Sequence, residues 1–265
     1  MLSSILFYLF ISLFTAFLIT LLIVGFFLLF RVKETKLYNL IWVGIAFILI
    51  PIGFIGNFLF GLGIIFENIF VSTGFVLSVI FTNQTFHKKK KYTKSIVLCL
   101  VIFLAIYFSI LDIYYPKIGV FFFYLRRIID ISLTFLTFGW MGWSSYEAYR
   151  RIKNSDIQPW IKSRYKIIAV VSFILSSHAI PSVFVSPNVL GTDFSNESVL
   201  ISYIIIAIIS LIFSIGFCIA WIMPTKLKKY FNRNFHPNEE KEIPEDEIIK
   251  LIKNELIGGN KRGNN

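Results

Sequence analysis

Seven apolar stretches, each long enough to cross a bilayer as a helix, run through this chain of 265 residues and leave it few folds to choose from. About 20 residues rising 1.5 Å each traverse the roughly 30 Å of hydrocarbon. Windows of that length predict helices over residues 4–30, 37–58, 62–83, 95–112, 118–147, 166–187 and 198–223. With 56% apolar and 15% charged residues, such a chain has too little polar surface to face water, so the lipid bilayer serves as solvent for most of it. The expected fold class is an all-α bundle of seven transmembrane helices. It forms one membrane domain over residues 1–223, followed by a cytoplasmic tail over 224–265.

The charges set the threading. Of the 26 Lys and Arg residues, 23 fall on one side of the membrane so defined. Arg31, Lys33 and Lys36 follow the first stretch, and Lys88, Lys89, Lys90, Lys91 and Lys94 follow the third. Arg150, Arg151, Lys153, Lys162, Arg164 and Lys166 lie between the fifth and sixth, and nine more lie beyond Pro224, whereas the segment from Ser186 to Glu197 has none. Cytoplasmic loops retain Lys and Arg. The N-terminus is therefore expected outside and the C-terminus in the cytoplasm, in a multi-pass protein of the cell membrane. The first stretch has no basic residues ahead of it and is about twice the length of a signal-peptide core, so it reads as a retained anchor. Trp42, Trp140, Trp143 and Trp221 at inner helix ends, with Trp160 in an inner loop, read as an interfacial belt.

A net charge of +11 would suit nucleic acid, but the cations sit at helix ends, where threading and anionic inner-leaflet lipids account for them. No nucleic-acid partner is expected. Cys99 and Cys218 fall within helices and read as small buried thiols. The enrichment in Lys, Ile, Phe and Asn suits an AT-rich prokaryotic genome.

Pro51 and Pro181 follow Lys36 and Lys166 at the same spacing, and Ser72-Thr73-Gly74-Phe75 is echoed by Ser214-Ile215-Gly216-Phe217. The echo hints at two parallel three-helix units joined by the fourth helix. Each proline removes a backbone donor and crowds the carbonyl one turn earlier, so both helices are expected to kink in mid-membrane. Pro51 and Pro181 are hinge candidates; a static bend repacked by its neighbours is the plainer reading. Ser172, Ser176 and Ala179 on the sixth helix, and Ser210, Ser214 and Cys218 on the seventh, read as packing seams. In the tail, Leu227, Tyr230, Phe231 and Phe235 recur at helical spacing among basic residues, predicting a short amphipathic helix over 226–235 on the inner leaflet. An acidic helix over 244–257 and a disordered end are expected after it.

Ionisable side chains inside a bilayer are costly, and each requires an account. Glu67 on the third helix, Arg126, Arg127 and Asp130 on the fifth and His178 on the sixth share one level, roughly 18 to 25 Å from the inner helix ends at the α-helical rise. Either arginine can pair with Asp130 at a spacing of three or four. These five are the candidate ligand-binding residues, lining a cavity that opens outward. The competing reading is that the arginines snorkel to the outer head groups, that Glu67 rests in the interface, and that His178 bonds a carbonyl freed by Pro181. No second histidine shares its depth, because His87 and His236 are placed in the cytoplasm. No metal site, cofactor or catalytic residue is expected, and the chain is not read as an enzyme.

That histidine count excludes the zinc hydrolases of the ceramidase and progestin-receptor type. The absence of lysine between Ile201 and Met223 excludes a retinal pigment. The outline matches a G-protein-coupled receptor, but Phe81-Thr82-Asn83-Gln84 replaces the acidic-Arg-aromatic triplet that closes the family's third helix. Over residues 1–235 the chain resembles the seven-helix N-terminal sensing region of prokaryotic membrane histidine kinases. The likeness rests on the basic run Trp160-Ile161-Lys162-Ser163-Arg164-Tyr165-Lys166 before the sixth helix and on the charged segment after the last. It implies a sensor, but the remaining residues are too few for a kinase, so output would pass to a cytoplasmic signalling partner.

The function expected is a receptor-like sensor that binds a small molecule or lipid in an outward-facing pocket. The alternative is a small-solute transporter of three-plus-one-plus-three architecture. Both require the threading given by the cations. Labelling of intact cells with a membrane-impermeant amine reagent is expected to leave the Lys88 to Lys94 stretch unmodified, and modification there would reverse the orientation.

Overall fold

The structure is a computed structural model that describes residues 2–87, 91–114, 119–155, 157–187, 194 and 196–233. The expected acidic helix 244–257, the disordered end, His236 and the last two residues of the expected amphipathic helix lie outside the described residues. So do Lys88, Lys89, Lys90 and Lys117. The described residues fold into eight α-helices with no strand: α1 Leu2–Thr35, α2 Leu40–Phe58, α3 Ile64–Phe86, α4 Lys91–Tyr114, α5 Gly119–Ile152, α6 Pro159–Ser176, α7 Glu197–Ile222 and α8 Thr225–Asn232. A 3-10 segment, Ile180–Phe184, follows α6.

Six helical stretches are long and apolar enough to cross a membrane: α1, α2, α3, α4, α6 with its 3-10 extension, and α7. This makes the chain a multi-pass helical protein suited to a bilayer. α5 is as long as α1, at 34 residues, but Arg126, Arg127 and Asp130 interrupt its apolar run.

The largest departure from the sequence reading is in α6, which begins at Pro159 rather than near residue 166. Proline is suited to a first helical turn because its missing N–H would have no partner there. The segment read as a basic inner loop therefore forms two helical turns, and Trp160 is a helix residue. A second departure concerns Pro181. It does not kink a continuous helix, because α6 stops at Ser176 and the proline opens the 3-10 segment instead. The carbonyls released there are satisfied locally: the Ser176 and Ser177 hydroxyls donate to Phe173 O and Ile174 O, and the Ser182 hydroxyl donates to Ala179 O. Pro51, in contrast, lies inside α2.

Neighbouring helices run antiparallel, as cross-helix pairs show. Phe14 on α1 meets Phe54 and Phe58 on α2, and Asn83 on α3 donates to Lys94 O on α4. α1 and α7 run parallel, with Phe10 against Tyr203 near one end and Arg31 against Trp221 near the other. α7 closes on α1, and α3 touches α5 behind α4, so six helices form a ring and α4 lies against its outside. Buried aromatic rings fill the centre: Phe47 meets Phe213 and Phe217, Phe75 meets Phe138, and Phe138 meets Phe213, at 4.9–5.9 Å between centroids.

One end of the bundle carries most of the described cations, and two of them do structural work there. Two guanidiniums hold the last carbonyls of α7: Arg31 Nη1 donates to Trp221 O at 2.8 Å and Arg164 Nε to Ala220 O at 2.9 Å. A helix C-terminus presents carbonyls without helical partners and favours cations. Arg164 is buried, with its guanidinium against the rings of Trp160 and Trp221. α8 docks on the same group: Leu227 and Phe231 pack beside Trp160, Ile161, Ile152 and Met223, and the Asn232 carboxamide oxygen accepts from Trp160 N at 3.3 Å. Trp160 and Trp221 are therefore buried members of a clamp rather than a lipid-facing belt, whereas Trp143 is exposed as an interfacial residue would be.

Candidate functional site

At the opposite end of the bundle, α1, α2, α3 and α7 separate enough to leave a cavity with about 960 Å³ of space between atoms, its open side included. Ten phenylalanines line it, so most of its wall is aromatic and apolar. Phe138 and Phe213 belong both to this wall and to the buried aromatic centre. Asn57, Glu67, His178, Tyr203 and Ser210 are the polar residues on the wall.

Local sequence explains how Glu67 reaches this position. α2 and α3 are joined by a short turn in which Gly61 and Gly63 have φ of 62° and 88°, a backbone region that side chains with a Cβ avoid. The turn places Asn57, in the last turn of α2, opposite Glu67, in the first turn of α3. The helices also approach closely: a Cβ on Gly53 would stand 2.9 Å from Glu67 O, and one on Gly56 would overlap the Phe66 ring. Asn57 Nδ2 then donates to Glu67 Oε2 at 2.6 Å. The N-terminus of α3 adds the favourable field of its unpaired N–H groups to the carboxyl.

His178 arrives by a different route. α6 ends two residues earlier, and the turn before the 3-10 segment presents the imidazole to the cavity. Its backbone N–H donates to Leu175 O at 3.0 Å, but Nδ1 is buried without a hydrogen-bond partner. The expected side-chain bond to a freed carbonyl is thus not made, because serine hydroxyls occupy those acceptors. Asp130 lies within electrostatic reach of His178. Tyr203, on the second turn of α7, packs its ring on Phe10 and Phe194, below the Asn196 side chain that caps this helix.

The five candidate residues divide between two places. Glu67 and His178 line the cavity, whereas Arg126, Arg127 and Asp130 do not appear on its wall. Arg126 pairs with Asp112 of α4 rather than with Asp130 on its own helix. The pairing expected at a spacing of four is therefore corrected to one across helices, where the shared depth of the two residues and the short α4–α5 connection bring them together. Asn68 of α3 donates to the other oxygen of Asp112, so one carboxylate links three helices. Phe108 lies 4.9 Å from the Arg126 guanidinium and Phe123 lies 5.1 Å from that of Arg127. Arg127 is buried, which is contrary to snorkelling toward head groups. The two groups remain within electrostatic reach, since Arg126 and Asp130 act on both Glu67 and Tyr203.

Compared with family models, curated proteins and solved structures, the chain matches none. The site therefore stands on its own chemistry.

Sequence reasoning missed Asn57, Asn68, Asp112 and Tyr203. Asp112 was legible in principle: it lies near the end of α4 within reach of Arg126 on the next helix, but a helix boundary drawn at residue 112 made it look like a terminal residue. Asn57 and Tyr203 carry no charge and give no comparable signal. Among the described residues no cluster of His, Cys, Asp or Glu is arranged to hold a metal ion.

An uncompensated buried arginine is far more costly than a missing surface pair, with about 3–5 kcal/mol the usual loss when one partner of a buried pair is removed. Asp112→Ala is accordingly expected to lower the thermal unfolding midpoint of the detergent-solubilised protein severely. The double replacement Asp112→Leu with Arg126→Met is expected to recover most of the loss. A mild effect of Asp112→Ala would remove the pair from the account.

Proposed function

We propose that this chain is a receptor-like membrane sensor with seven spans, its N-terminus outside and its C-terminus in the cytoplasm, that binds a small molecule or lipid in the aromatic cavity. α5 supplies the seventh span. Pairing of Arg126 with Asp112 removes the main electrostatic objection to burying it, and α5 packs against α3, α4 and α6. In this threading the cavity faces outward, and the clamp of Trp160, Arg164, Trp221 and α8 lies at the cytoplasmic surface, among anionic inner-leaflet lipids.

The observation that carries the reading is the path of α6. Its last turn gives Leu175 to the cavity wall, and the turn beyond gives His178. Its first turns hold Trp160 and Arg164, which fix the end of α7 and the docking of α8. A helix is stiff along its axis, so a ligand that shifts the broken end of α6 displaces the clamp, provided it binds the two arrangements with different affinity. A cytoplasmic signalling partner would read that displacement at α8.

The order of helix contacts supports a second reading. α1–α2–α3 and α5–α6–α7 are each contiguous, α3 meets α5 as α7 meets α1, and α4 lies outside. This is the order expected of a transporter built from two parallel three-helix units. Against it, Phe47, Phe75, Phe138, Phe213 and Phe217 close the centre beneath the cavity, so flux requires this cluster to open.

The test uses the protein in lipid nanodiscs with an environment-sensitive fluorophore on Lys229→Cys in α8, in a background where Cys99 and Cys218 are replaced by Ser. A panel of single-chain amphiphiles is expected to contain at least one that changes the signal, and Ala207→Trp, which fills the cavity, is expected to abolish the change. Binding with no response at α8 would contradict the sensor, and uptake of a labelled solute by proteoliposomes would favour the transporter.

A further inference from the structure

The polar end of the cavity has a chemical bias that narrows what it can hold. Among the described residues its ionisable groups are the Glu67 carboxyl, the His178 imidazole and the Tyr203 phenol, and none of those residues is a Lys or Arg. Both arginines at this depth are engaged elsewhere, Arg126 with Asp112 and Arg127 against Phe123. Off the wall, Arg126 is within electrostatic reach of Glu67, both arginines are within reach of Tyr203, and Asp130 is within reach of Glu67, His178 and Tyr203, so the charge that faces the cavity directly is that of Glu67. Of the Glu67 oxygens, Oε2 accepts from Asn57, and a carboxylate has acceptor capacity for further donors. His178 Nδ1 has no partner; in the tautomer protonated at Nε2 it is an acceptor. The end of the cavity is therefore rich in acceptors and poor in cations. Below it, the wall is apolar down to Leu21, Phe47 and Phe213.

Resting on the pocket reading above, we infer that the cavity takes an amphiphile with a single apolar chain and a primary amine head, the ammonium pairing with Glu67 and donating to His178 while the chain lies among the phenylalanines. Charge complementarity selects this head over a carboxylate. A fatty acid would set its carboxylate beside Glu67, with no cation among the described residues of the wall to offset it, and like charges brought together at a binding site are strongly disfavoured. An uncharged alcohol satisfies the hydrogen bonds but forgoes the ion pair. The amine could be that of a free single-chain molecule or that of a phosphatidylethanolamine with one of its two chains in the cavity and the other in the bilayer; the primary ammonium recognised is the same.

The experiment displaces a cavity-bound fluorescent hydrophobic probe from the protein in phosphatidylcholine nanodiscs, using dodecylamine, dodecanol and dodecanoate. Dodecylamine is expected to compete about tenfold or more better than dodecanoate, with dodecanol between them. Glu67→Gln is expected to bring dodecylamine down to the level of dodecanol while leaving dodecanol unchanged, which also reports that the variant is folded. If Glu67→Gln fails to bind any of the three, the ranking on the unaltered protein decides alone. Equal or tighter binding of dodecanoate overturns the inference and leaves the pocket reading standing; no displacement by any amphiphile, with Ala207→Trp also without effect on the probe, overturns both. Phosphatidylethanolamine in the nanodisc separates the sources: loss of dodecylamine binding assigns the amine to the bilayer lipid, and unchanged binding assigns it to a separate molecule, each in support of amine recognition.

Discussion

The cost of removing charge from water organises this molecule. Its apolar helices gain nothing from burying one another in place of lipid tails, so specific packing and the satisfaction of polar groups decide how they are arranged. Asp112 is the strongest instance. It takes the charge of Arg126 and a hydrogen bond from Asn68, joining α3, α4 and α5 at one depth. With Arg126 committed there, Glu67 is left to the cavity with only the neutral Asn57 bonded to it. The ion pair thus acts twice, fixing α4 on the outside of the ring and leaving a carboxyl facing open space.

The same logic governs the opposite end. α7 finishes with carbonyls that no later turn can satisfy, and guanidiniums from α1 and α6 supply the donors. Arg164 connects the two ends of the proposed mechanism, since α6 runs from this clamp to the break beside His178. The break does not depend on Pro181 alone: three serine hydroxyls and the turn N–H groups donate to the released backbone carbonyls and form a local hydrogen-bonded unit. That unit is a short irregular stretch between two ordered helical pieces, the kind of place where a membrane helix can change shape without exposing backbone to lipid.

The sequence reading succeeded where one physical rule dominated. Hydropathy placed six of the expected spans because the length of an apolar run is set directly by bilayer thickness, and depth counting put Glu67 and His178 on a common level, where the structure finds both on one cavity wall. It failed where two rules competed. The basic run before α6 was read as loop because Lys162, Arg164 and Lys166 suit a cytoplasmic surface, but Trp160 and Arg164 also suit a buried clamp, and Pro159 suits a helix start. The Arg126–Asp130 pairing followed from helical spacing alone, which cannot weigh a partner on another helix. Asn57 and Tyr203 were invisible because neither breaks an apolar pattern in a way that a single sequence distinguishes from ordinary loop-end polarity.

The central claim is that one carboxyl faces an accessible apolar cavity and another is locked in an ion pair. A hydrophobic carbodiimide, which enters membranes and forms stable adducts with accessible carboxyls, separates the two by peptide mass mapping. The account expects an adduct on Glu67 and none on Asp112. Modification of Asp112 with Glu67 untouched would contradict it.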